Sequence, residues 1–324
     1  MNSNSFYREN IYEEFNIRNN IDVLNILLKD RTTKRNIMWC TDDYKSLGKN
    51  FQIDKEISAD VIYNISSSNI LLPRALKKRN TQADRTRKKA EVFTPSWVCN
   101  KQINLIDNEI FGRKNVFNYE LGILGDVWKS TTEKISFTDF DWRDYVEMVR
   151  MEITCGEAPY IVSRYDTTTG FFINVPDRIG MLDRKLRVVN ENCDNFEEWF
   201  KYVLISYKSI YGFEYQGDSV YLARENLLNT FYDNYIYKFN DTLDIAYIKE
   251  IAKIISWNIW QMDGATFSVP NVKTHEYKQL SIEDFLDDYP REVFSTFSNP
   301  RNILSKIMDW KEGRIITFKE SVGK

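Results

Sequence analysis

Apolar residues along this chain change period several times, and the changes mark out its elements. From Tyr7 to about Asp30 they recur at helical spacing, and Ile57 to Ile65 gives a second short run of the same kind. Ser96 stands where it would cap a helix through Val98, Ile103, Leu105 and Ile110. Asn115 to Asp141 carries turn residues and short β-like pieces such as Ile135 to Phe137. Trp142 to Val149 reads as a helix and is followed by a strand ending near Ile153. Next comes Met151 to Tyr160, in which Gly156-Glu157-Ala158 forms a tight turn of small residues and Pro159 suits the first turn of a helix continuing over Ile161 to Tyr165.

Asp166 to Gly170 breaks the pattern, and Phe171 to Asn192 mixes apolar with basic residues, including Arg178, Arg184, Lys185 and Arg187. This stretch reads as an insertion and those cations as a solvated loop, because Gly156 and Glu214 stand about twice as far apart as the ~30 residues of a tight strand-helix-strand unit. Asn195 to Tyr207 is helical, and its aromatic residues are expected in the core. Ser209 to Phe213 is a strand, Ser219 to Phe239 a long helix, Ile245 to Ile255 a helix and Asn258 to Met262 a strand. The alternation predicts an α/β protein with parallel strands joined by crossover helices.

Composition changes this picture little. The chain has 324 residues, 43% of them hydrophobic, and a net charge of −3, so contact with an acidic partner has to come from a local patch. One candidate is the run from Pro73 to Ala90, in which Arg85, Arg87, Lys88 and Lys89 would face DNA phosphates. No apolar run is long enough to span a membrane and Met1 to Asn10 is too polar for a signal peptide, so the cytoplasm is the expected compartment. Four scattered cysteines fit neither a zinc site nor a disulfide framework and are expected as buried thiols. A single histidine, His275, excludes a multi-histidine metal site within the chain, and no metal ligand set is expected.

Three signals fall at the carboxyl ends of the predicted parallel strands, where such sheets place their ligands. Gly156 and Ala158 follow the first strand, Glu214 the second and Asp263 the third. A turn of small residues lets the backbone approach a ligand, a strand-end carboxylate accepts hydrogen bonds from two ribose hydroxyls, and a second carboxylate accepts one from an adenine amino group. A nucleoside-containing ligand follows.

The same residues carry a resemblance. Glu152-Ile-Thr-Cys-Gly-Glu-Ala-Pro-Tyr160 resembles the first S-adenosylmethionine motif of amino-group adenine DNA methyltransferases, commonly Glu-Pro-x-Cys-Gly-x-Gly-x-Phe. Ile210-Tyr-Gly-Phe-Glu214 with Ala223-Arg-Glu-Asn-Leu-Leu228 is similar to their second motif, and Asn258-Ile-Trp-Gln-Met-Asp-Gly264 to the third. Glu91-Val-Phe-Thr-Pro95 resembles the Phe-Thr-Pro motif that precedes the first in enzymes of the gamma arrangement from restriction-modification systems. In this sequence Thr154 stands in place of the usual proline and Ala158 in place of the usual second glycine.

The resemblance implies a Rossmann-like methyltransferase sheet that binds S-adenosylmethionine. Phe93, Thr94 and Pro95 would contact the methionine part, Glu152, Gly156, Ala158 and Tyr160 would form the cradle, Glu214 would hold the ribose and Asp263 the adenine. The catalytic Asn/Asp-Pro-Pro-Tyr/Phe tetrapeptide does not occur after Asp263, and Ser298-Asn299-Pro300-Arg301 reads as a plain turn, so no residue is assigned as catalytic. The sheet is then expected to be incomplete, lacking the strands after the third. Residues 1–90 read as a helical extension with a basic linker, 91–264 as the cofactor-binding core and 265–324 as an irregular extension able to meet a partner. The expected partners are DNA and a second subunit that supplies the tetrapeptide and covers the bare strand edge; a second copy of this chain is a further candidate for that edge. The alternative is a regulatory or scaffold subunit that binds S-adenosylmethionine or DNA without transferring methyl groups.

Overall fold

Polar side chains placed just ahead of apolar runs start many of the helices. Asn20 accepts from Val23 N–H to open α1 (Ile21–Leu27), and α2 follows at Ala59–Ile65. The computed structural model describes residues 17–65, 71–77, 94–270 and 303–323. Helix α3 (Ser96–Ile110) begins one residue after Pro95, and a hairpin of β1 (Asn118–Leu121) and β2 (Val127–Ser130) lies against it. Asp141 opens α4 (Trp142–Glu147), leading into β3 (Arg150–Glu152). Helices α5 (Met181–Asn192) and α6 (Phe196–Lys208) lead to β4 (Ile210–Glu214); α7 (Gly217–Phe239) and α8 (Ile245–Asn258) lead to β5 (Ile259–Gln261). A hairpin of β6 (Lys306–Asp309) and β7 (Arg314–Thr317) precedes the short α9 (Phe318–Val322).

The chain is a mixed α/β protein whose central sheet, among the described residues, has three strands, in the order β3-β4-β5, all parallel. Arg150 lies beside Ile210, and Gly212 stands between Glu152 and Ile259. One face of this sheet packs into the main core, which also takes in Val23, Leu24, Trp39 and Ile57 from the N-terminal part. On the other face Phe213, Trp260 and Met262 meet Ile307, Ile316 and Phe318 of the last hairpin and helix. Among the described residues no helix is long and apolar enough to cross a membrane.

Three expected elements differ. No helix follows the Gly156 turn: Ser163 gives its N–H to Asp183 Oδ2 at 2.7 Å, and Arg164 and Asp166 pair with Ile173 and Phe171, so this stretch forms a loop. The expected insertion is instead half a crossover helix, α5, and its cations are not a solvated loop. Arg184 Nη1 reaches Asp107 Oδ2 at 2.5 Å, Arg150 Nη2 reaches Asp107 Oδ1 at 2.6 Å, and Arg178 reaches Asp233 at 2.6 Å. Lys185, wholly buried, donates to Val146 O, Met148 O and Ser209 Oγ. Local pattern hides these pairs because their partners lie on distant segments. Ile135 to Phe137 is likewise not a strand; the β-structure of that region is the hairpin β1–β2. The buried aromatic residues Trp199, Phe200 and Tyr207 of α6 and the four buried cysteines follow expectation.

The N-terminal part closes one end of the sheet. Gln261 uses its side-chain amide as a rung, accepting from Met38 N–H and donating to Met38 O, each at 2.8 Å. Gly217 N–H donates to Trp39 O at 2.9 Å, and a Cβ at Gly217 would stand 1.8 Å from Met38 O. Gly217→Ala therefore forces the extension away from α7, and overpacking of this kind costs about 2 kcal/mol. The urea midpoint of the variant should fall accordingly, and an unchanged midpoint would show that the extension shifts freely.

Candidate functional site

The turn after β3 is held in strained backbone. Thr154, Gly156 and Ala158 have φ of 50°, 54° and 66°, and a β-branched residue in that region is a true outlier. Such strain persists only where neighbours enforce it. Here Cys155 N–H donates to Phe213 O at 2.9 Å, Ala158 N–H to Cys155 O at 2.7 Å, and Asn226 Nδ2 of α7 to Glu157 O at 3.1 Å. A Cβ at Gly156 would meet nothing within 4 Å, so the glycine is required by its φ and leaves open space above the turn. Ala158 is fully buried and shapes the turn from the core side.

Glu214 ties this turn to the next strand. Its Oε2 accepts from Gly156 N–H at 3.0 Å, and its Oε1 from Tyr215 and Gln216 N–H at 2.7 and 3.2 Å. Glu152 lies beside it at the end of β3. Although that residue as a whole keeps some exposed surface, its Oε2 has none and no hydrogen-bond partner. Burial pushes the Glu152 carboxyl well above the usual carboxylate range; the backbone N–H groups of Tyr160 and Ile161 oppose this, and Glu214 adds to it.

The segment after position 93 joins the same cluster. Tyr160 donates to Gln102 Oε1 of α3 at 2.6 Å; burial pushes its hydroxyl up to about 12, and Cys99, Glu152 and Thr94 also act on it. Thr94 O accepts from Thr167 Oγ1 at 2.7 Å, and Pro95 O from Val98 and Cys99 N–H. Asp166 caps the start of α3 through Ser96 N–H at 2.7 Å. Burial alone would raise the Asp166 carboxyl, but donors from Thr168, Ser96 and Thr169 outweigh it and bring it to about 2.

The structure thus brings Thr94, Pro95, Glu152, Gly156, Tyr160 and Glu214 around one turn. Asp263 stands one residue beyond Met262, whose N–H is held by Glu214 O at 3.0 Å, and its Oδ1 accepts from Ala265 and Thr266 N–H in its own turn. Phe93, Arg85, Arg87, Lys88 and Lys89 lie outside the described residues, as do His275 and Ser298 to Arg301. Sequence reasoning missed Gln102, Cys99, Asp166 and Thr167. Asp-Thr-Thr-Thr-Gly does signal a turn braced by its own side chains, but nothing local says that it clamps Thr94 to Ser96. Among the described residues no acid, cysteine and histidine cluster suits a metal ion.

Among the described residues β3 has a strand partner on one side only. Val149, Met151 and Ile153 are 71%, 38% and 64% exposed, an apolar row along the outer strand β3. Arg150 N–H bonds to Ser209 O on the β4 side, so by the period of a parallel ladder the backbone of Met151 points the other way. Compared with protein-family models, with curated proteins and with solved structures, the chain finds no match.

Losing a helix-capping carboxylate costs about 1 kcal/mol. Asp166→Ala should show that loss in thermal unfolding at neutral pH. Because the carboxyl is held low in the folded chain, its contribution is present above the usual aspartate range and disappears as pH falls toward about 2. The gap between parent and variant should close over that window; a gap that stays constant would remove Asp166 from the clamp.

Proposed function

We propose that this chain binds S-adenosylmethionine on a Rossmann-like sheet and forms the cofactor-binding half of a split adenine-N6 DNA methyltransferase of a restriction-modification system. The observation that carries the reading is the bond between Gly156 N–H and Glu214 Oε2, which joins the small-residue turn of one parallel strand to the terminal acid of the next. Order, parallel direction and the position of both signals at the carboxyl ends support a nucleoside site there.

The donor set fits this cofactor. Two acids, Glu152 and Glu214, flank a turn whose Gly156 N–H is given to a protein carboxylate rather than left for a phosphate, which suits a ligand of hydroxyl and ammonium groups. Glu214 would take the ribose, Glu152 and Tyr160 the amino-acid end, Asp263 the adenine, and Thr94 and Pro95 would wall the methionine with Phe93. Bound S-adenosylmethionine supplies an electrophilic methyl group on sulfur. The chain's own part is to orient that group and exclude water, since in-line attack by an amine depends mostly on positioning.

The catalytic tetrapeptide would come from a second subunit, whose strand adds to the open side of β3. An edge with no strand partner among the described residues, and an apolar row beside it, are what such an addition uses. DNA would lie along the basic run at Arg85, Arg87, Lys88 and Lys89.

Titration calorimetry of the purified chain with S-adenosylmethionine should show binding, and DNA methylation should appear only when the subunit carrying the tetrapeptide is added. Binding without methylation in that mixture would favour the regulatory or scaffold alternative. Glu214→Ala removes a charged acceptor and loosens the Gly156 turn, so affinity should fall by about 2 kcal/mol; unchanged affinity would count against the site. Neutralising Arg87, Lys88 and Lys89 together should make the logarithmic salt slope of DNA binding shallower by roughly 2 to 3, and an identical slope would exclude the run from the DNA contact.

A further inference from the structure

Three consecutive residues, Tyr165, Asp166 and Thr167, join two pieces of chain that frame the cradle. Tyr165, buried, donates to Glu157 Oε2 at 2.6 Å, and Asn226 Nδ2 of α7 bonds both the Tyr165 hydroxyl and Glu157 O, so this residue is fixed to the Gly156 turn. The next two reach the segment ahead of α3. Asp166 Oδ2 accepts from Ser96 N–H and Thr167 Oγ1 donates to Thr94 O, both at 2.7 Å. Pro95 between them has no N–H, and its carbonyl is taken by Val98 and Cys99 of α3. Thr94 O and Ser96 N–H are therefore the handles by which this segment can be held, and neighbouring residues of one loop hold both.

The loop is braced before any ligand arrives. Asp166 N–H donates to Phe171 O at 2.8 Å and Gly170 N–H to Asp166 O at 2.7 Å, with Gly170 at φ 77°. Asp166 Oδ1 accepts from the N–H and the hydroxyl of both Thr168 and Thr169. One carboxylate oxygen thus closes the turn on itself, and the other is left for Ser96.

We propose that Asp166 and Thr167 are positioning residues that set the spacing between Thr94, Pro95 and the Gly156 turn, and with it the recognition of the amino-acid end of S-adenosylmethionine. This rests on the cofactor reading above and deepens it. On that reading Thr94 and Pro95 wall the methionine part, while Glu214 and Asp263 meet the nucleoside at the carboxyl ends of β4 and β5. Losing a bond in the bridge therefore acts on one end of the ligand only. A wall displaced by a fraction of an ångström loses its contacts with the amino-acid chain and admits water there, whereas the nucleoside keeps its partners.

Calorimetry on the whole chain with three ligands tests this. S-adenosylmethionine and S-adenosylhomocysteine both carry the amino-acid end; 5′-methylthioadenosine keeps the nucleoside and the sulfur without it. Thr167→Val keeps the shape of the side chain and removes the donor to Thr94 O, so affinity for the first two should fall by about tenfold. Affinity for 5′-methylthioadenosine should change by less than about twofold. Thr167→Ser, which restores the hydroxyl, should return the first two close to the parent. Equal losses for all three ligands, or no loss, overturn the positioning role and leave the cofactor reading standing. A second measurement needs no ligand: in Asp166→Ala, amide hydrogen exchange over residues 94–99 should speed up by roughly tenfold more than exchange in α8. Equal changes in the two overturn the bridge itself. Failure of the parent to bind any of the three ligands overturns the cofactor reading, and this inference with it.

Discussion

Glu214 collects three backbone N–H groups that no strand or helix would otherwise satisfy: Gly156 in the turn after β3, and Tyr215 and Gln216 ahead of α7. Donors of this kind are costly to bury unpaired, and bonds to an ionised acceptor are stronger than neutral ones. One side chain therefore sets the distance between two crossover connections and places negative charge near the amino end of a 23-residue helix. The strained backbone at Thr154, Gly156 and Ala158 is tolerated because its neighbours are fixed in this way.

Helix α7 spreads that constraint through the molecule by means of three consecutive side chains. Arg224, fully buried, donates to Ile259 O at 2.7 Å and to carbonyls at the end of α1, so the N-terminal part and β5 share one guanidinium. Glu225 pairs with Arg18 at 2.6 Å. Asn226 reaches Glu157 O and the hydroxyl of Tyr165. Buried charges are weak sources of stability, but removing one member of such a set strands the other. Their effect here is to fix which segments meet around the turn.

The parallel alternation was legible because β4, α7, α8 and β5 read as separate apolar runs and the signals at Gly156 and Glu214 fall where strands end. The first crossover was not. Helix α5 turns Arg184 and Lys185 into the core, where Asp107 and the carbonyls at Val146 and Met148 receive them, and no local pattern separates such a helix from a charged surface loop. The same holds for Asp166, whose value lies in reaching Ser96 across 70 positions of sequence. Period reports which face a residue takes; it is silent on the identity of a distant polar partner.

The two sides of the sheet are finished differently, and the difference bears on how the site works. Beside β5 the chain closes its own edge with the Gln261 amide against Met38. Beside β3 it leaves Val149, Met151 and Ile153 exposed. Because side chains alternate between the two faces of a sheet, Arg150 and Glu152 project to one face, where Arg150 reaches Asp107, while Met151 projects to the other, beside Tyr211. One short strand thus divides its side chains between the two faces of the sheet and presents backbone along its outer edge. On the proposed reading, filling the cradle engages side chains on one face of β3 while adding a partner strand engages its backbone edge, so each can proceed alone, yet both bear on the carboxyl end of β3, where the methyl group would have to meet its acceptor.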